Sequence, residues 1–395
     1  MKPIALLTIL LLNIACWAQE KSNIKFNGFV DTYHALRSNT PNDFMSSRSR
    51  LRTELHINNN KTYLFTSLNA VHNSILPEQT KLELREAFFQ YTNNSFDLKA
   101  GRQIATWGVA DGVRITDIIS PMDYTEFLAR DYDDIRIPIN ALRLKYLKTD
   151  FNIELYFIPI PEFFIIPTNN KNPWGMNYKS ETKYYFDKPQ KTLRNSEYGG
   201  RFAFFLSGID FSISALHTWN KMPALKAKNT DSIMHMTGNF EQMDMLGCDI
   251  SFPIRQFVVR AEAANYFGEL IETERTNSFN YLLGIDWYPG NDWILMVQYY
   301  HKNIYRNSEN ISQPKSISMG TFSIQKKLLR NTLNLSSFSY IDFTNKGFFN
   351  RISADYSISD QIHIMCGYDW FYGDKGMFGI YKNNSEYWIK GKFCF

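Results

Sequence analysis

The sequence predicts an all-β protein, a single transmembrane antiparallel up-and-down barrel of about 18 strands. Three observations carry this prediction. From Asn23 onward, runs of about ten to thirteen residues alternate side-chain character with period two. Short turns and longer polar links succeed one another along the chain. Aromatic residues reach 16%, with 31 Phe, 23 Tyr and 8 Trp, where a soluble core would favour Leu and Ile.

The alternation is plain in the second run. Leu51, Thr53, Leu55 and Ile57 fall on one face, and Arg48, Arg50, Arg52, Glu54 and His56 on the other. In the last run Tyr387, Ile389, Gly391, Phe393 and Phe395 alternate with Trp388, Lys390, Lys392 and Cys394. Run length matters because a tilted strand needs ~9–11 residues to cross the hydrocarbon. Short links rich in turn residues fall at 58–60, 93–94, 149–150, 207–208, 253–254, 289–292, 329–331 and 359–360. Longer polar links fall at 36–46, 73–80, 107–137, 161–196, 221–241, 268–276, 303–314 and 373–384. Only 344–346 is short where the rhythm asks for a long link. Nine hairpins give 18 strands, with 16 as the alternative if one weak pair is misread.

Keeping the long loops at one end is the habit of bacterial outer-membrane barrels, and a soluble sandwich has no reason for it. No later segment can cross as a helix. The longest apolar stretch, 157–167, is cut by Pro159, Pro161, Glu162 and Pro167, whereas spanning needs ~20 apolar residues. In a membrane, a closed barrel is then the way left to satisfy the backbone. Residues 1–18 read as a signal peptide, with Lys2 before an apolar stretch over 4–15 and Ala18 before Gln19. Lipidation at Cys16 is the alternative, and Asn13 fits it poorly. The barrel domain is then 19–395. Its Cys248, Cys366 and Cys394 are too few and too scattered for a disulfide framework, and read as small apolar filler. A net charge of +4 without basic clusters gives no reason to expect nucleic acid.

Energetics decides which face is which. An Arg or Lys facing lipid at mid-bilayer costs ~2–4 kcal/mol, so Arg48, Arg50 and Arg52 must point into the lumen. The same phase places Lys25, Asp31, Glu54, Glu83, Arg143, Lys145, Glu154, Arg260, Glu262, Arg351 and Asp355 on the interior wall. The expected lumen is polar, of mixed sign, with a basic ladder on the second strand.

Residues 100–145 break the hairpin rhythm. They contain Gly101-Arg102-Gln103, Trp107-Gly108, Ala110-Asp111, Asp117, Ser120-Pro121-Met122-Asp123 and the acidic cluster Asp131-Tyr132-Asp133-Asp134. Ser120 can cap a short helix over 121–129, with Pro121 at its first position and Asp123 at its third. A link this long is usually functional or disordered. The expectation is a loop folded back into the lumen, with Trp107 at the outer interface and Gly108 turning the chain inward. Arg102, Arg114 and Arg130 would pair with Asp111, Asp117, Asp123, Asp131, Asp133 and Asp134. Such a loop would constrict the pore and set its charge selectivity. The alternative is a structural plug or packed outer loop whose charges merely pair with each other.

The pattern G-R-Q-x-x-x-W-G-x-A-D followed by D-x-x-x-P-x-D-Y is carried by Gly101, Arg102, Gln103, Trp107, Gly108, Ala110, Asp111, Asp117, Pro121, Asp123 and Tyr124. It resembles a family of porin-like outer-membrane barrels often associated with inner-membrane exporters of lipids or other hydrophobic molecules. The resemblance is close over about 25 residues and beyond them extends only to barrel pattern. It implies the fold and leaves the cargo open.

Three function classes follow. The leading one is a porin-like channel for diffusion of small solutes, with Arg48, Arg50 and Arg52 favouring anions. A second is a plugged accessory barrel of an envelope export system. A third is an outer-membrane hydrolase, but Ser214 and His217 are three apart on a strand and face opposite ways, and no Gly-x-Ser-x-Gly elbow occurs. No catalytic residue is therefore assigned. The seven His show no metal-ligand spacing, and Asp131, Asp133 and Asp134 lack the spacing of a Ca²⁺ loop, so no metal or cofactor is expected. Expected partners are membrane lipid and lipopolysaccharide, small-molecule solutes, and the assembly machinery acting on the strand that ends in Phe395. A homo-oligomer stays open.

Overall fold

The computed structural model describes residues 23–132, 134–175, 181–230, 233–305 and 311–395. The expected leader over 1–18 and Asp133 lie outside the described residues. The first strands are β1 (Asn23–Arg37), β2 (Phe44–Asn59), β3 (Thr62–Asn73), β4 (Lys81–Thr92), β5 (Phe96–Gln103), β6 (Ile139–Leu147) and β7 (Phe151–Ile158). They are followed by β8 (Glu181–Asp187), β9 (Glu197–Leu206), β10 (Ile209–Trp219), β11 (Ala224–Thr230), β12 (Ile233–Asn239), β13 (Gln242–Ile254) and β14 (Phe257–Ile271). The rest are β15 (Glu274–Gly290), β16 (Trp293–Tyr305), β17 (Ser316–Leu328), β18 (Leu333–Asp342), β19 (Gly347–Ser357), β20 (Ile362–Tyr372) and β21 (Glu386–Cys394). Eighteen of them form one antiparallel sheet, and β8, β11 and β12 form a small separate sheet.

The large sheet closes on itself. Strand β1 pairs with β2 on one side and with β21 on the other, in the register Val30↔Phe393 and Tyr33↔Lys390. Gly28 and Phe395 extend the seam by exchanging two backbone hydrogen bonds, at 2.9 and 3.0 Å. Closure leaves no strand edge with open amides, which is the condition for a sheet in hydrocarbon. No helix among the described residues is long and apolar enough to cross a membrane.

Side chains sort by phase as a lipid-bathed barrel requires. On β15, Leu283 and Ile285 are 57% and 50% exposed on the outer face, while Leu282 and Asp286 are fully buried inside. Outward aromatics form two rows. One row, at the turn end, includes Phe96, Phe257, Trp287, Trp293 and Tyr356. The other, at the loop end, includes Tyr198, Phe267, Tyr305, Trp370, Tyr372 and Tyr387. These are the girdle positions where an aromatic ring meets both lipid tails and water.

The turns fall close to their sequence positions, with two corrections. The β13–β14 turn lies at Arg255 and Gln256, because Pro253 and Ile254 still pair with Val258 and Phe257. The link over 268–276 is not long. Strand β14 runs on to Ile271, β15 begins at Glu274, and Glu272 turns the chain at φ 56°. Polar residues in both strands hid this extension, since outside the bilayer a strand needs no apolar face. The helix over 121–129 does not form either. Met122 and Asp123 are held in β-bridges to Arg136 and Ile165, Phe127 takes φ 41°, and the Ser120 hydroxyl accepts from the Ala105 amide instead of capping. A short helix, α1 (Gly376–Ile380), occurs in the last loop instead.

Replacing Leu283 by Lys, on the outward face near the middle of β15, is expected to destabilise the barrel by about 2–4 kcal/mol. Urea unfolding in lipid vesicles measures this, and the inward change Ser278→Thr serves as a mild control.

Candidate functional site

The loop joining β5 to β6, residues 104–138, enters the barrel and crosses it. Its entry is built locally. The Trp107 amide donates to Asp117 Oδ1 at 3.1 Å, and Arg114 donates to the carbonyls of Asp117 and Ser120. Gly108 follows at φ 80°, and a Cβ there would lie 2.7 Å from the Glu262 carboxylate. Trp107 does not sit at the membrane interface. It is 2% exposed inside the barrel, edge-on to Tyr156 at 6.0 Å, because the turn at Gly108 begins after the chain has already left the wall.

Glu262 on β14 is the main anchor at the far wall. Its Oε2 accepts from the amides of Val109 and Ala110 at 3.0 and 3.1 Å, and its Oε1 from the Thr116 amide and hydroxyl at 2.6 and 2.8 Å. Arg260, beside it, reaches the Val109 carbonyl at 3.0 Å, Asp111 at 3.3 Å and Asp286 at 2.5 Å. Tyr266 and Tyr340 donate to the carbonyls of Ile115 and Gly112, each at 2.6 Å. Ile115, Ile119 and Met122 are fully buried, so the loop brings its own apolar core into the lumen.

The returning limb meets the opposite wall through charge. Arg50 holds Asp31 at 2.6 Å and Asp134 at 2.8 Å, and Arg52 holds Asp134 at 3.0 Å. Arg48 pairs with Glu126, whose other oxygen accepts from Ser46 at 2.7 Å. Lys390 on β21 pairs with Asp131 at 2.7 Å, and Arg351 on β19 donates to the Ala129 carbonyl at 3.1 Å while holding Asp369 at 2.8 Å. Within the loop, Arg130 pairs with Asp123 at 2.8 Å and Arg136 with Asp117 at 2.6 Å. Arg114 lies 3.7 Å from Asp117. Burial works to raise the Asp134 carboxyl, but Arg50, Arg52 and Arg85 outweigh it and hold it well below the usual carboxylate range.

The remaining residues singled out from the sequence are dispersed. Arg102 reaches no loop acid. It donates to the Leu84 carbonyl at 3.0 Å and lies 3.9 Å from Glu162, since β5 carries it to the wall before the loop begins. Arg143, Lys145 and Glu154 form a separate inward cluster with Asp97, with Lys145 3.4 Å from Glu154. Glu54 and Asp355 face inward beside His56 and His363, at 3.8 and 3.5 Å. Ser214 faces inward and His217 outward, where His217 meets Asp244 at 2.7 Å, so the two do not meet.

Sequence reasoning missed Glu126, Arg136 and Lys390. Lys390 had a usable signal, the inward phase of the last strand. It also missed a second insertion. Residues 159–175 join the loop through Asn172, which donates to the Thr125 carbonyl at 2.7 Å. Trp174, fully buried, packs on Phe371 and Tyr381 at 5.5 and 5.6 Å.

The space left is divided. A pocket of about 210 Å³ lies between the loop and the β2–β5 wall, lined by seven basic and five acidic side chains, among them Arg48, Arg85, Arg102, Arg130 and Glu162. Along the other wall, cavities of about 340, 430 and 160 Å³ share residues in turn, Tyr132 and Tyr340 first, then Asp131 and Arg351.

Two outcomes follow from these anchors. Glu262→Ala removes four hydrogen bonds to a carboxylate, each worth about 1.5–3 kcal/mol, so hydrogen exchange over 109–116 should accelerate at least about 100-fold. The barrel itself should stay folded. The Asp134 contribution has the sign of a depressed acid: it is complete above about pH 4, the range of an unperturbed carboxyl, and is lost as pH falls toward the lower folded value. Protection of the loop should therefore be equal at pH 7 and pH 5, and Asp134→Asn should lower it at both.

The family model described as "Protein of unknown function (DUF1302)" matches residues 59–280. No curated protein matches the chain. Among solved structures, OccK3 (OpdO) of Pseudomonas aeruginosa aligns over 94% of this chain and 96% of its own, with 7% identity and a TM-score of 0.57. OccD3 (OpdP) of the same organism aligns over 94% and 91%, with 9% identity and a TM-score of 0.56. OccAB3 of Acinetobacter baumannii aligns over 94% and 99%, with 10% identity and a TM-score of 0.54. At such identities the likeness is one of fold. The closed 18-strand barrel, its apolar belt and its two aromatic rows place the protein in a bacterial outer membrane. Since the matched segment exceeds half its length, the chain belongs to the family described as a protein of unknown function, DUF1302.

Proposed function

We propose that the protein is a narrow porin-like channel, constricted by the loop over 104–138, through which small anionic solutes diffuse. One observation carries the reading: the basic pocket between the loop and the β2–β5 wall, where seven cationic side chains face five anionic ones. A cavity that focuses one sign of charge between low-dielectric walls concentrates the opposite ion. All three arginines of the β2 ladder are occupied, Arg48 by Glu126 and Arg50 and Arg52 by Asp31 and Asp134. Arg85 donates to the Asp134 carbonyl at 3.2 Å, so these four hold the loop, whereas Lys81 on β4 and Arg102 on β5 set the field a solute meets. Export by a leader over 1–18 and assembly through the strand ending in Phe395 belong to the same reading.

A second reading, a plugged accessory barrel, is favoured by the buried core of Ile115, Ile119, Met122 and Trp174 within the lumen. Planar bilayers separate the two. The channel reading expects resolvable steps and a reversal potential shifted toward that of chloride in a KCl gradient. Neutralising Lys81 and Arg102 together with Gln leaves five basic and five acidic side chains on the pocket and should move that potential most of the way to the non-selective value. A folded barrel that never conducts, or a potential unmoved by the double change, would overturn it.

A further inference from the structure

The largest chemical contrast inside the barrel is between the basic pocket and the cavity of about 340 Å³ at the loop end of the opposite wall. Four of the twenty residues lining that cavity are methionines, Met222, Met243, Met319 and Met377, although the whole chain has only 13. Seven more are aromatic, including Trp219 and Tyr300. Its charged residues are three, and each is already paired. Lys221 holds Glu197 at 2.5 Å, Glu269 holds Lys302 at 2.6 Å, and Arg114 is spent on Asp117 and two loop carbonyls. No uncompensated field is left to attract an ion.

Apolar surface held against water costs free energy that an apolar guest recovers by covering it. The loop fills other parts of the lumen with Ile115 and Ile119, so an apolar space left open here has another use. Its size lies at the lower end of small-molecule sites; an engineered apolar cavity of about 150 Å³ already accepts benzene, so one or two rings fit. Thioethers adapt to ring edges of varied shape and make favourable sulfur–aromatic contacts, and the surrounding rings offer edge-to-face partners.

We infer that this cavity binds a small uncharged aromatic molecule entering from the loop end. Binding here does not rest on conduction, and its test does not use current. The full barrel, labelled with ¹³C-methyl methionine and held in lipid nanodiscs, is titrated with indole and, separately, with benzoate. The inference expects saturable shifts of the Met222, Met243, Met319 and Met377 methyls with indole, no change at Met45 across the lumen, and at least tenfold weaker binding of benzoate. Filling the cavity with Met319→Trp should abolish saturation. If that variant loses the heat-modifiable gel mobility of the folded barrel, Met243→Phe takes its place. Linear, unsaturable shifts at all methyls, equal or tighter binding of benzoate, or saturation that survives filling would each overturn the inference.

Discussion

A peptide group in hydrocarbon has no water to bond, so every amide of a spanning strand must find its partner in a neighbouring strand. The pairing of β1 with β21 meets that demand for the whole sheet at once. Closure then dictates the rest. With lipid outside, one phase of every strand must be apolar, and the other must carry what the outside cannot hold. The arginines at 48, 50 and 52 are inside for this reason, and once inside they need anionic partners.

The loop over 104–138 supplies those partners. Glu126 meets Arg48, Asp134 meets Arg50 and Arg52, and Asp131 meets Lys390, while the wall's own Glu262 meets the loop's amides. Wall and loop therefore form one electrostatic unit. Removing one member of a buried pair strands the other, at about 3–5 kcal/mol, so the loop behaves as an internal wall rather than a lid. It splits the lumen into a basic side and an apolar side, and the function proposed above follows from that division.

Much of this was legible in the sequence because lipid imposes a simple code. Period two in Leu51, Thr53, Leu55 and Ile57 fixed the outer face, and the cost of an arginine in lipid fixed the inner one. The code speaks only within the bilayer. Above it, β14 and β15 continue through polar residues, and their tight turn at Glu272 reads as a long link. Inside the loop, Ser120 and Pro121 carry good local signals for a helix, but Ala105 takes the serine hydroxyl and Arg136 and Ile165 bridge the segment as extended chain. Long-range partners overrode local preference there. Such partners, like Trp174 meeting Phe371, join residues far apart in sequence and leave no periodic trace.

The central claim is that the loop lies lodged across the lumen and narrows it. Single-channel conductance of the barrel with residues 110–132 replaced by a short Gly-Ser linker tests this most directly. The account predicts that conductance rises several-fold while heat-modifiable mobility is kept. A folded variant whose conductance equals that of the intact protein would contradict it.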